Sequence, residues 1–408
     1  MNIRQAWLDY YYSKGFQIIP SAPLVHPLFP TSFNMSAGLI QLDPKIRSLT
    51  KLKPYKQCLV QKCFRNFDIH KIGDKSHLSF FEMTGSFEVG EFNETNTISV
   101  IWEFLTQILK IDPNRIYITF FDSEIIVDRK IALSEELKKY LYKLNCKEVV
   151  IGNKDTNLWT QGGGANLTDN IKLCGPQIEF FYDLGIDKNC GNKKCNPFCR
   201  CGRFLEIANT ILIKYYLDFN EDTKLKDLIN STTETVIGIE RTALVVENKA
   251  DIFETSYFEP ITKVIPIGKL NEDIKIIVDH IKSLVFILSE QEITPTKSNR
   301  GRIIRTLIRE LLTSFYILNI SIEKYIPLLV DKVIEIYFSV YPELINAKNI
   351  VYKTIIDHEK NYKKTLDLGR RKILDYMNKN KIVKLTELNK KYIWEYFGVP
   401  IRLIDHYL

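Results

Sequence analysis

The hydrophobic period of this 408-residue chain changes once, near residue 248, and the change limits what each part can become. Upstream, short β-branched and aromatic runs alternate with helical patterns. Arg115-Ile116-Tyr117-Ile118-Thr119-Phe120-Phe121, Lys147-Glu148-Val149-Val150-Ile151 and Gln177-Ile178-Glu179-Phe180-Phe181-Tyr182 predict strands. Downstream the strand signal fades. Residues 273–288, 302–315 and 327–338 carry apolar side chains at helical spacing, and 357–378 predict another long, charged helix. Pro327 is expected in the first turn of its helix, where its missing N–H costs nothing. Thr294-Pro295-Thr296 predicts a turn. The reading is an α+β domain over residues 1–248 followed by a helical domain over 249–408.

Hydrophobic residues at 45% and charged residues at 26% suit a globular protein and argue against disorder. The N-terminus has no apolar signal core, and no stretch reaches the roughly 18 uncharged apolar residues of a membrane span. A soluble cytoplasmic protein is the expectation. The net charge of +7 permits a polyanionic partner without requiring one.

Four of the eight cysteines, Cys190, Cys195, Cys199 and Cys201, lie within twelve residues. Without an export signal, such crowding reads as metal before disulfide. Four thiolates close around a tetrahedral Zn²⁺ and leave no open position, so the expected zinc is structural. Two disulfides, free thiols and an iron–sulfur cluster use the same residues.

Two segments carry chemistry. Gln61-Lys62-Cys63-Phe64-Arg65, a polar loop and His77-Leu78-Ser79-Phe80-Phe81-Glu82-Met83 suit a hairpin. Its Arg and His can converge on one anion, and an aromatic face nearby can stack on a planar base. The plainer alternative is a surface Arg beside buried aromatics. Gly238-Ile239-Glu240-Arg241-Thr242-Ala243 is a turn into an apolar run whose Arg can reach a nucleotide or merely be solvated.

Together these segments resemble motifs 2 and 3 of class II aminoacyl-tRNA synthetases. Other stretches narrow the resemblance to the alanyl-tRNA synthetase family: Ile3-Arg4-Gln5-Ala6-Trp7-Leu8-Asp9-Tyr10-Tyr11, Ser36-Ala37-Gly38-Leu39, Phe80-Phe81-Glu82-Met83-Thr84-Gly85-Ser86-Phe87, Cys174-Gly175-Pro176 with Glu179, Leu205-Glu206-Ile207 with Asn209, Ser298-Asn299-Arg300-Gly301-Arg302, and Phe397-Gly398-Val399-Pro400. The resemblance spans essentially the whole chain. It implies the class II antiparallel sheet flanked by helices, then a helical tRNA-recognition domain. It also implies a short form, because the family's further tRNA-binding part, editing domain and oligomerising tail would follow Leu408.

By this resemblance Arg65 binds the ATP α-phosphate and His77 the triphosphate, while Phe81 and Arg241 sandwich the adenine. Met83 belongs to the ATP site, and Glu82 or another acidic residue nearby contacts Mg²⁺. Trp159 walls the amino-acid pocket, Asn209 meets the substrate carboxylate or carbonyl, and Glu234 holds the α-ammonium. Asn299, Arg300, Arg302 and Glu395 are the implied tRNA contacts. A similar cysteine-rich insertion is familiar in the archaeal branch. The chain departs from the family where Val-Asp-Thr-Gly becomes Thr233-Glu234-Thr235-Val236, which puts alanine specificity in question. Gly162-Gly163-Gly164 is expected to be a close-packed substrate loop, since it lacks a P-loop's Gly-Lys-Ser/Thr ending.

Three functions follow as alternatives. One is activation of alanine, or another small amino acid, and its transfer to tRNA. Another is delivery of the adenylate to a different acceptor. The third is a non-catalytic RNA-binding relative, which the retained Arg65, His77, Phe81, Trp159, Asn209 and Arg241 argue against. Monomer and dimer both stay open.

Overall fold

The computed structural model describes the chain except residues 28–30, 163–170, 186–189, 193, 200, 221–223, 267 and 408. It forms two compact units, one of residues 1–23, 34–63 and 81–255, the other of 24–33, 64–80 and 256–408.

The first unit is built on strands β1 (Gln17–Ile18), β2 (Tyr55–Phe64), β3 (Phe80–Val89), β4 (Ile116–Phe121), β5 (Ser123–Ile126), β6 (Arg129–Ala132), β7 (Glu148–Gly152), β8 (Leu158–Thr160), β9 (Ile171–Asp183), β10 (Phe204–Asp218) and β11 (Lys224–Val236). Nine of them make one sheet in the order β1-β2-β3-β11-β10-β9-β4-β7, with β8 added beside β9, and β5 pairs with β6 separately. The run β3-β11-β10-β9-β4 is antiparallel. This is the antiparallel sheet that the resemblance implies.

Helices α1 (Ile3–Ser13), α2 (Leu39–Ile46), α3 (Glu94–Glu103), α4 (Glu135–Lys143), α5 (Lys154–Asn157) and α6 (Ile239–Val246) belong to the same unit. Asn2 caps α1 by accepting the Gln5 N–H. The buried face of α1 stacks Trp7 on Tyr11 at 4.1 Å and sets Trp7 edge-on to Phe104. Gly175 is required where β9 passes β10, because a Cβ there would lie 1.9 Å from the Leu212 carbonyl oxygen.

The second unit contains α7 (Glu259–Thr262), α8 (Glu272–Glu290), α9 (Asn299–Ile317), α10 (Ile322–Tyr337), α11 (Ala347–Lys379), α12 (Glu387–Phe397) and α13 (Ile401–Tyr407). Every residue of α8 from Ile274 to Leu288 is buried, the mark of a central helix. Its Asp279 is held by a partner distant in sequence. Asp279 accepts the Ser79 N–H at 2.9 Å and also the Ser79 hydroxyl, and His280 Nδ1 lies 2.9 Å from the same carboxylate.

Pro327 is not in the first turn. Helix α10 starts five residues earlier, where Ser321 accepts the Lys324 N–H, so Pro327 is an interior proline. The strong cap outweighs the single backbone bond that the proline removes. Among the described residues, no helix is long and apolar enough to cross a membrane.

Candidate active site

Strand register brings the expected amino-acid residues together. One rung runs Thr119, Glu179, Asn209, Val236, and the next runs Gln177, Ile211, Glu234, Phe87. Rungs two residues apart along a strand share a face, so Asn209, Val236 and Glu234 lie side by side. Trp159 on β8 pairs with Gly175 and packs against the cluster formed by Leu39, Phe87 and Ile211.

The polar groups on this face are closely held. Glu179 Oε2 accepts from the Thr119 hydroxyl at 3.1 Å and the Asn157 amide at 3.2 Å, and Gln177 donates to Oε1 at 3.0 Å. Burial, then the neighbouring Glu206 charge, pushes the Glu179 carboxyl up to about 8. Glu234 is buried too, and desolvation pushes its carboxyl up to about 7 against one hydrogen bond from the Leu39 N–H at 3.2 Å. The Asn209 amide oxygen is buried with no partner among the described residues.

The start of α6 is sewn to β3. Thr84 N–H donates to the Ile237 carbonyl, Ile237 N–H donates to the Thr84 hydroxyl, and the Glu240 carboxylate accepts the Glu82 N–H at 3.0 Å. Arg241, on this anchored turn, reaches Glu206 at 3.5 Å and stays one-third exposed. Phe81 and Met83 are half-buried on β3. Glu82 between them points the other way. Its carboxylate is fully buried and ion-paired with Arg4 of α1.

The phosphate-binding candidates lie in the second unit. Arg65 ends β2's extension and donates its backbone N–H to the Ser79 carbonyl at 2.9 Å. His77 is held by Asp74, whose carboxylate accepts its backbone N–H at 2.7 Å and contacts its ring Nδ1.

Of the expected tRNA contacts, Asn299, Arg302 and Glu395 are exposed. Asn299 takes a positive φ of 51° at the start of α9, a conformation that asparagine tolerates. Arg300 turns inward and donates to the carbonyls of Ser32 at 3.0 Å and His26 at 2.9 Å. Of the glycine triplet, Gly163 and Gly164 lie outside the described residues. A Cβ at Gly162 would meet nothing within 4 Å, so the expected close packing is not found there.

The four cysteines converge, their sulfurs all within 4.8 Å of one another. Cys190 and Cys199 are 3.5 Å apart, and Cys195 and Cys201 are 3.6 Å apart. These separations match the edge of about 3.8 Å that four Zn–S bonds of 2.3 Å give in a tetrahedron. Asn192 and Asn196 form successive side-chain turns that lead into Cys195 and Cys199. Asp183 and Arg203 close the loop's base with hydrogen bonds of 2.7 and 2.5 Å.

The sequence pattern alone gives no role to Glu179, Glu206, Glu240 or Arg4, although each lies in a segment that carries the resemblance or the α6 turn. A carboxylate in an otherwise apolar strand was the available signal for Glu179.

An antiparallel sheet with these residues on its face is the framework of a class II synthetase. The chain matches the family described as tRNA synthetases class II (A) over residues 2–408 and belongs to it. It is similar to the alanine–tRNA ligase of Elusimicrobium minutum (strain Pei191), 35% identical over 98% of this chain and 45% of that protein. It is also similar to the alanine–tRNA ligase of Thermotoga maritima (strain ATCC 43589 / DSM 3109 / JCM 10099 / NBRC 100826 / MSB8), 30% identical over 98% of this chain and 46% of that protein. The chain therefore spans less than half the length of these curated relatives.

Proposed function

We propose that this chain joins a small amino acid, alanine first among candidates, to ATP as an aminoacyl adenylate and then transfers it to tRNA in the cytoplasm. The observation that carries the reading is the buried, unpartnered amide oxygen of Asn209, one rung from the buried carboxylate of Glu234. Such groups cost free energy unless a ligand satisfies them. An amino acid supplies an ammonium for Glu234 and polar atoms for Asn209, while Trp159 and Val236 limit its side chain.

In the first step a carboxylate oxygen of the amino acid bonds to the α-phosphorus, and pyrophosphate leaves with the electrons of the broken P–O bond. In the second, a ribose hydroxyl at the tRNA end bonds to the acyl carbon while its proton passes to a phosphate oxygen of the adenylate, and AMP leaves with the electrons of the broken acyl C–O bond. No protein nucleophile is needed. Arg65 is assigned the α-phosphate, His77 the triphosphate, and Phe81 and Arg241 the adenine. Mg²⁺ supplies neutralisation of the phosphates and departing pyrophosphate. With Glu82 committed to Arg4, Glu206 is the acidic side chain open to solvent beside Arg241. The cysteine loop would hold one Zn²⁺ in a structural role.

The test is pyrophosphate exchange across a panel of small amino acids, followed by transfer to total tRNA. Exchange with alanine or a close analogue, lost by several orders of magnitude in Arg65→Ala and Arg241→Ala, is the expected result. Folded, metal-replete protein that exchanges with no amino acid overturns it.

A further inference from the structure

The segment that carries Arg65 and His77 is held along one side of α8. Between Arg65 and Phe80 the backbone leaves the sheet, so its polar groups need partners elsewhere. Glu272, Lys275, Asp279, Ser283 and Phe286 recur at helical spacing and make one stripe of α8. Gly73, Asp74, Ser79 and Phe80 meet that stripe in order. Gly73 has a φ of +117°, and a Cβ on it would lie 2.5 Å from the Glu272 Cγ. The Asp74 carbonyl accepts from Lys275 Nζ at 3.0 Å. The Ser79 N–H donates to the Asp279 carboxylate at 2.9 Å, and the Ser79 hydroxyl lies 2.7 Å from that of Ser283. Phe80 stacks on Phe286 with centroids 4.0 Å apart.

Two short relays run from this stripe to the phosphate-binding candidates. In one, Asp279 fixes the Ser79 amide, and the carbonyl of the same serine accepts the Arg65 N–H at 2.9 Å. In the other, Lys275 fixes the Asp74 carbonyl. The Asp74 carboxylate accepts the N–H groups of Ser76 at 2.9 Å and His77 at 2.7 Å, and it contacts the His77 ring. Lys275 and Asp279 are about one turn apart, so a single rigid helix sets the spacing of the two relays. Both side chains are buried. Packing alone does not call for them, because apolar side chains would hold the segment to α8 without desolvating charge. Hydrogen bonds to charged groups add direction, which a phosphate site requires and an apolar contact does not give.

We infer that Lys275 and Asp279 are positioning residues for ATP: Asp279, through Ser79, sets Arg65 for the α-phosphate, and Lys275, through Asp74, sets His77 for the triphosphate. The inference rests on the roles proposed above for Arg65 and His77. Both α8 residues act through another side chain or backbone group and not on the nucleotide itself. Their effects differ in kind. Arg65 meets the phosphorus under attack, so Asp279 acts chiefly on kcat. His77 holds the phosphates already in the bound ground state, so Lys275 acts chiefly on KM for ATP.

The experiment is a pair of double-mutant cycles on the full chain, read by single-turnover adenylate formation and by calorimetric titration with ATP. Asp279→Asn keeps the volume and one acceptor but removes the charge. It should lower the rate of adenylate formation about tenfold or more, with KM for the amino acid unchanged. Lys275→Met keeps the apolar stem and removes the donor. It should weaken ATP binding about tenfold, with kcat nearly unchanged. In an Arg65→Ala background Asp279→Asn should cost nothing further, and in a His77→Ala background Lys275→Met should cost nothing further. A merely structural role would add equally in either background. Additive effects in both cycles, or unchanged kcat and ATP affinity in folded single variants, overturn the inference and leave the proposed aminoacylation standing. If Asp279→Asn does not fold, the Lys275 and His77 cycle decides by the same criterion. Wild type that exchanges with no amino acid sinks the proposed aminoacylation; non-additive Lys275 and His77 effects on ATP titration then uphold this inference, and additive ones overturn it.

Discussion

The Glu234 carboxylate accepts the backbone N–H of Leu39 at 3.2 Å in a position closed to water. One hydrogen bond does not offset the loss of hydration, which is why the carboxyl titrates near neutrality, at about 7.

An ammonium brought to Glu234 favours its ionised form, so amino-acid binding near pH 7 should release a fraction of a proton. Calorimetry in buffers of different ionisation enthalpy reads that release directly. Glu234→Gln should abolish it and weaken binding. Glu234→Asp combined with Val236→Gly should shift exchange toward alanine. Equal heats in all buffers for wild type would separate Glu234 from the substrate.

Glu179 gives a stability prediction of definite sign. Its folded carboxyl titrates at about 8, above the unfolded value, so its contribution is fully present below about pH 4.3 and is lost as pH rises through 8. Urea unfolding should show stability falling over that window by up to a few kcal/mol. Glu179→Gln, isosteric and neutral, should remove the fall. A pH-independent wild type would contradict it.

The Arg4–Glu82 pair ties α1 to β3 with both side chains buried. Removing one partner leaves an uncompensated charge, so Arg4→Ala or Glu82→Ala should each cost about 3–5 kcal/mol. The double change Arg4→Ala with Glu82→Ala should cost less than the two single changes summed. A double-mutant cycle in urea decides between coupling and simple additivity.

The cysteine loop should bind close to one equivalent of Zn²⁺, measurable by elemental analysis of freshly reduced protein. Cys199→Ser should lower the metal content and the melting temperature together. Chelation of wild type should reproduce the loss. Metal-free protein with unchanged melting would leave the four sulfurs as thiols.

How much was legible in advance varied with chemistry. The cysteines were legible because all four ligands are local in sequence. Helix α9 showed because burial of one face imposes its period, and α8, buried all round, showed because its apolar run is too long for a strand. Strands β10 and β11, the middle of the site, were not anticipated. Their inner residues include Asn209, Thr210, Thr232, Thr233, Glu234 and Thr235, a polar run that hides a buried strand. Thr210 and Thr235 satisfy one another across the strands at 3.0 Å, which only the fold provides. The direction of a side chain was equally hidden. Glu82 sits in a recognisable segment yet pairs inward with Arg4, and Arg300 turns to the carbonyls of Ser32 and His26.

The serine–aspartate contact at the centre of α8 bears on how this protein is made. Ser79 and Asp279 are 200 residues apart, and both are completely buried or nearly so. A ribosome exposes the 64–80 segment long before α8 exists to receive it, so that segment must wait without its permanent partner. For the same reason, no single cut divides the chain into two self-sufficient pieces. A fragment beginning at residue 256 would carry Asp279 in its core without the hydroxyl and amide that satisfy it. Dissection by expression would have to graft the 64–80 segment back onto the helices.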